Sequence, residues 1–120
     1  MHITSYAAIE PFQTLDGSEI REWAGAVSAP ARNQSLAEAT IPVGGATTAH
    51  FHRLTEELYL ITSGRGRLVI DGEEREIGPG DCALIAPGAV HKLYNIGEQQ
   101  LRIVCACAPA YSHEDTVLTE

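Results

Sequence analysis

Residues 56–66, EELYLITSGRG, and 67–77, RLVIDGEEREI, decide the fold class of this chain. Tyr59 and Ile61 alternate with Leu58 and Leu60, and the run stops at Gly64 and Gly66. A period of two in β-branched and aromatic residues, closed by glycines, is the signature of a strand. Asp71-Gly72 then stands between two extended runs, the pair that a two-residue hairpin requires. Working outward, SLAEATIPVGG (35–45), GPGDCALIAPG (78–88), VHKLYNIGEQQ (90–100) and LRIVCACAP (101–109) repeat the pattern of a short strand ending in Gly, Pro or Asn. Six or more short strands joined by tight turns predict an all-β sandwich or closed barrel. Residues 18–27, SEIREWAGAV, admit either a helix or a strand, and residues 1–34 are the least legible part.

The 120 residues are expected to form one domain (1–120), with its strand-rich core at about 35–110. Eight Lys and Arg against 16 Asp and Glu give a formal charge of −8. Such a chain has no general attraction for nucleic acid or an anionic membrane surface. No apolar run approaches the ~20 residues that span a bilayer, and MHITSYAAIE lacks a signal-peptide pattern. A soluble, cytoplasmic protein is expected. Two of the three cysteines lie in VCACA, a spacing that fits neither a zinc knuckle nor a disulfide, so reduced and partly buried thiols are expected.

Histidine is scarce, five residues in the chain, and three of them stand at strand starts. HFHRLTEE (50–57) places His50 and His52 on one face of an extended segment, with Glu56 and Glu57 just beyond. GDCALIAPGAVHKLYN (80–95) sets His91 directly after a Pro87-Gly88 turn, sharing a face with Leu93 and Asn95. If the two strands are neighbours, three imidazoles converge beside a carboxylate. That donor set suits a divalent transition metal.

These residues also fall into two spaced motifs, in which the chain resembles the cupin superfamily. Gly44, His50, His52, Glu57 and Gly64 match the first motif position for position. Gly80, Gly88, His91 and Asn95 match the second, with Ala86 where the family has a proline; that departure touches no ligand position. The resemblance covers about residues 35–110 and implies an antiparallel cupin jelly-roll barrel. It implies one divalent metal per chain (Fe, Mn, Ni, Co or Zn) held by His50, His52, Glu57 and His91. Spacing and alternation both favour Glu57 over Glu56, which is expected in solvent.

Alternation from Glu57 and from Arg102, read as outward-facing with Val104 and Ala106, gives the expected substrate pocket. Tyr59, Ile61, Leu93, Ile103 and Cys105 face inward, as does Cys107. No Arg or Lys is forced inside by this pattern, although residues 1–34 hold Arg21 and Arg32. A heavily phosphorylated substrate, which wants guanidinium partners, is therefore disfavoured. The expected function is that of a small metalloenzyme, foremost an oxygenase, acting on a neutral or carboxylate-bearing small molecule, with Glu57 also catalytic. A redox-neutral isomerase, lyase or cyclase is the alternative, and a non-catalytic sugar- or small-ligand-binding module the next. Similar cupins commonly pair, and a homodimer is expected from the outward Leu58, Leu60, Val104 and Ala106. The segment APAYSHEDTVLTE (108–120) reads as a solvated acidic tail.

Overall fold

The computed structural model describes residues 1–120. After one 3-10 turn (Tyr6–Ala8) the chain is built of strands: β1 Phe12–Gln13, β2 Glu19–Ala24, β3 Ser35–Ile41, β4 His50–His52, β5 Glu56–Ser63, β6 Gly66–Ile70, β7 Glu73–Ile77, β8 Cys82–Ile85, β9 His91–Asn95, β10 Leu101–Ala108 and β11 Thr116–Leu118. They form a six-stranded sheet in the order β1-β2-β3-β10-β5-β8 and a five-stranded sheet in the order β11-β4-β9-β6-β7. Every pairing between these strands is antiparallel. The sheets face each other as a jelly roll and are not joined edge to edge into one closed hydrogen-bonded barrel.

Within the segment 18–27, Glu19–Ala24 form a strand, in which Ile20 and Glu22 are buried and pair across to Ala39 and Ala37 of β3. The Asp71-Gly72 hairpin forms as expected. Both residues have positive φ (48° and 84°), so the turn carries the twist that joins β6 to β7 with Ile70 opposite Glu73. Gly64 is required for a different reason. Its φ is +88°, and a Cβ there would lie 2.8 Å from the Gln100 carbonyl oxygen.

Alternation sorts the inside from the outside on the two longest strands, β5 and β10. Along β5 the even-numbered Glu56, Leu58 and Leu60 are exposed, whereas Glu57, Tyr59 and Ile61 are buried. Along β10 Leu101, Ile103, Cys105 and Cys107 are buried. One apolar cluster joins both sheets, with Ile41, Ile61, Ile85, Ile103 and Leu101 from the larger and Leu68, Ile77 and Leu93 from the smaller. Each such side chain contributes about 1.5–3 kcal/mol by leaving water.

The final segment is not a free tail. β11 pairs with β4, placing Thr116 opposite His52 and Leu118 opposite His50. The Asp115 carboxylate accepts from the Leu54 and Thr55 amides at 2.8 and 3.0 Å. Glu120 accepts from the Ala49 amide and from Lys92. The reason is local: β4 would otherwise be an edge with unpaired backbone groups, and TVL supplies the missing ladder. No helix is long and apolar enough to cross a membrane.

Candidate metal centre

His50 and His91 are direct cross-strand partners on β4 and β9, and their ring centroids are 4.2 Å apart. His52, two residues along β4, points to the same side. The β4 and β9 ends are also tied through the turn before β9, where the Gly88 amide donates to the His52 carbonyl at 2.7 Å. Asn95 at the far end of β9 donates to the Ile41 and Gln99 carbonyls and accepts from the Gly97 amide. It therefore fastens the strand rather than entering the site.

All three imidazoles are oriented by hydrogen bonds through Nδ1. His50 Nδ1 lies 2.7 Å from the Thr48 carbonyl, and His91 Nδ1 lies 2.9 Å from the Ala89 carbonyl. A carbonyl only accepts, so each Nδ1 carries the proton. His52 Nδ1 lies 3.0 Å from Thr116 Oγ1, whose own proton goes to the Ser112 carbonyl at 2.9 Å. That hydroxyl must accept, and His52 is therefore protonated on Nδ1 as well. The consequence is three Nε2 lone pairs aimed at one point.

These ligand atoms lie within 4.8 Å of one another, and all three residues are buried. Glu57 Oε1 is 3.2 Å from His52 Nε2 and 3.6 Å from His91 Nε2. His52 Nε2, His91 Nε2 and Glu57 Oε1 are buried and have no hydrogen-bond partner. Buried polar atoms left unpaired cost about 1–3 kcal/mol each. A cluster of such atoms, all lone-pair donors, fits a divalent cation. His50 is held below the ordinary imidazole range, first by burial and then by the neighbouring His91, so it stays neutral and able to ligate. Burial alone would raise Glu57, but hydrogen bonds and positive charge from His52 and His91, when those rings also carry a proton on Nε2, outweigh it and hold the carboxyl down to about 2. Its other oxygen, Oε2, accepts from the Cys107 thiol at 3.1 Å.

Beside the histidines lies a cavity of about 50 Å³. Of the residues expected to line it, Tyr59, Leu93, Ile103 and Cys105 do so. Ile61, one step further along β5 and 1% exposed, packs into the apolar cluster instead. No Lys or Arg lines the cavity. Arg21 pairs with Glu19 and stacks over Tyr6 away from it. Glu56 is exposed, as expected. Cys105 and Cys107 are buried free thiols pushed far up by burial, whereas Cys82 is exposed.

Three contributors were not legible beforehand. Thr116 orients His52 from β11, and Tyr111 lines the cavity with its ring 5.8 Å from His52. Asp16, in the turn between β1 and β2, brings Oδ2 to 3.7 Å from His50 Nε2. The Asp16-Gly17 dipeptide between two extended runs was the available signal for that turn.

The family model for the cupin domain matches residues 37–107. The chain belongs to the cupin family. An uncharacterized protein of Methanocaldococcus jannaschii is 45% identical over 117 residues, covering 98% of this cupin and 94% of that protein. Oxalate decarboxylase from Bacillus subtilis superposes with a TM-score of 0.80 at 18% identity, covering 98% of this cupin and 32% of the decarboxylase. KdgF from Halomonas sp. superposes with a TM-score of 0.78 at 14% identity, covering 92% of this cupin and 96% of KdgF. At those identities the structural likenesses establish the fold.

Proposed function

We propose that this cupin is a single-domain, cytoplasmic metalloenzyme that holds one divalent transition metal through His50, His52, His91 and Glu57 and acts on a small neutral or carboxylate-bearing molecule. The observation that carries the reading is the cluster of three buried Nδ1-protonated imidazoles, His50, His52 and His91, with the unpaired Glu57 Oε1 beside His52 and His91. When bound, the ion supplies a Lewis-acidic centre with open positions and, as iron or manganese, a redox couple. The chain supplies the rest. Thr48, Ala89 and Thr116 fix the rings, and the Cys107 thiol holds Glu57 by its second oxygen. Tyr59, Leu93, Ile103 and Cys105 make a largely apolar wall that keeps bulk water from the bound molecule.

The leading reaction class is dioxygen-dependent oxidation of a chelating substrate such as a vicinal diketone, hydroxyketone or enediol. Its test is an oxygen electrode with iron-loaded protein and a panel of such compounds. Oxygen uptake that disappears in Glu57→Ala supports it; equal turnover without oxygen transfers the assignment to a redox-neutral isomerase or lyase. A specific observation keeps that second reading in play: two buried carboxylates, Glu57 and Asp16, stand near the histidines and could move protons without any oxidant.

The chain is further proposed to pair as a homodimer through the outer face of the six-stranded sheet. There Leu36 lies beside Ala106, Ala106 beside Leu58, and Leu58 beside Leu84. The four-strand row exposes its leucines at 40–61% on Leu36, Leu58, Leu60 and Leu84.

A further inference from the structure

Asp16 is a buried carboxylate with a division of labour between its oxygens. Oδ1 accepts three hydrogen bonds, from Thr14 Oγ1 at 2.6 Å, the Ser18 amide at 2.9 Å and Ser18 Oγ at 2.6 Å. Oδ2 has no hydrogen-bond donor and faces the cavity, 3.7 Å from His50 Nε2. Its turn is docked on the segment that leads into His50. The Thr48 amide donates to the Asp16 carbonyl at 2.7 Å, and the Thr48 carbonyl in turn accepts from His50 Nδ1. Asp16 and His50 are therefore positioned by the same stretch of backbone, and the residue is 8% exposed.

The cavity wall carries two further carboxylates, Glu22 and Glu57, and no Lys or Arg. Glu57 is engaged with the imidazoles and Cys107, and Glu22 accepts through Oε2 from the Ser28 amide and hydroxyl. Asp16 Oδ2 is left as an acceptor with a full lone-pair set beside the histidine cluster. Apart from a metal held by the histidines, no positive charge on the wall offsets its repulsion of an incoming anion, while a hydroxyl group satisfies it.

We propose that Asp16 is a specificity-determining residue: it accepts a hydrogen bond from a hydroxyl of the bound molecule and excludes anions, so the ligand class is neutral polyhydroxy compounds. This narrows the ligand allowed by the metalloenzyme reading and rests on it for the first arm of the test. Cobalt(II)-loaded protein is titrated with azide and, separately, with dihydroxyacetone, following the visible cobalt spectrum, for the native chain and Asp16→Asn. Asp16→Asn is expected to bind azide at least tenfold more tightly and dihydroxyacetone at least tenfold more weakly, with unchanged cobalt content. Affinities within twofold of the native chain, or native protein that prefers azide, overturn the proposal. Failure of the native chain to take up cobalt defeats the metal reading instead. Selectivity is then read on metal-free protein by saturation-transfer NMR of dihydroxyacetone and acetate. Retention of the first and exclusion of the second, reversed in Asp16→Asn, supports Asp16's role, and no difference overturns it. Asp16→Ser, which keeps a small acceptor for the Ser18 amide, replaces Asp16→Asn if the latter does not fold.

Discussion

Thr116→Val tests the claim that the C-terminal strand sets the chemistry of His52. Valine keeps the shape of threonine and removes only the hydroxyl that accepts from His52 Nδ1 at 3.0 Å. The ring is 3% exposed, so water cannot replace that acceptor cheaply. The least costly response is a change of tautomer. With the proton on Nε2, His52 donates to Glu57 Oε1, 3.2 Å away, and both partners are satisfied. The metal-free protein should accordingly keep most of its stability. The same proton now occupies the lone pair that a metal needs. Loss of such an orienting partner lowers metal affinity roughly 10- to 100-fold, or about 1.4–2.7 kcal/mol. Zinc affinity measured by competition with a chromophoric chelator should show that drop in Thr116→Val, whereas Thr116→Ser should remain close to the native chain. Equal affinity in Thr116→Val and the native protein, or an equal loss in Thr116→Ser, would refute the reasoning.

Acidification should destabilise the metal-free protein in two stages. His50 is depressed in the folded state, so below the ordinary imidazole value of 6.5 the unfolded chain takes up a proton that the native state refuses. Glu57 falls from 4.5 to about 2, so its contribution is present above pH 4.5 and lost as the pH falls towards 2. Urea midpoints that stay level from pH 7 to pH 3 would contradict both. Cys82 should react with a water-soluble thiol reagent within minutes while Cys105 and Cys107, buried and un-ionised, lag far behind; mass spectrometry of the native protein distinguishes them. Light scattering at micromolar concentration should return the mass of a dimer, and Leu58→Glu should return a monomer without disturbing the inward-facing Glu57 and Tyr59. A native monomer would remove the pairing proposal.

The central strands were legible because each carries a strict alternation between glycine- or proline-marked turns, and because β4, β5 and β9 bear the spaced residues themselves. Alternation put His50 and His52 on one face and Glu57 with Tyr59 on another strand's face; that these and His91 share one interior was implied by the resemblance to the cupins. β2 was ambiguous for a physical reason: its inward slots hold Ile20 and Glu22, and a buried glutamate breaks the apolar period that marks a strand. β11 is three residues long, too short to show a period, and exists because β4 offers an unpaired edge. Asp16, Tyr111 and Thr116 reach the site from turns and terminal segments. Their roles depend on distant pairings, Asp16 with Thr48 and Thr116 with His52, that no local pattern encodes. Ile61 was misplaced by one layer, because alternation gives the side of the sheet a residue faces but not its depth along the strand.

The most direct test is the metal content of the purified protein and of single histidine variants, measured by inductively coupled plasma mass spectrometry at pH 7.5. The native chain should carry about one divalent transition metal. His50→Ala, His52→Ala and His91→Ala should each lose most of it, while His2→Ala and His113→Ala should keep it. A native protein that neither contains nor takes up a transition metal, or a His113→Ala variant stripped as thoroughly as His91→Ala, would contradict the account.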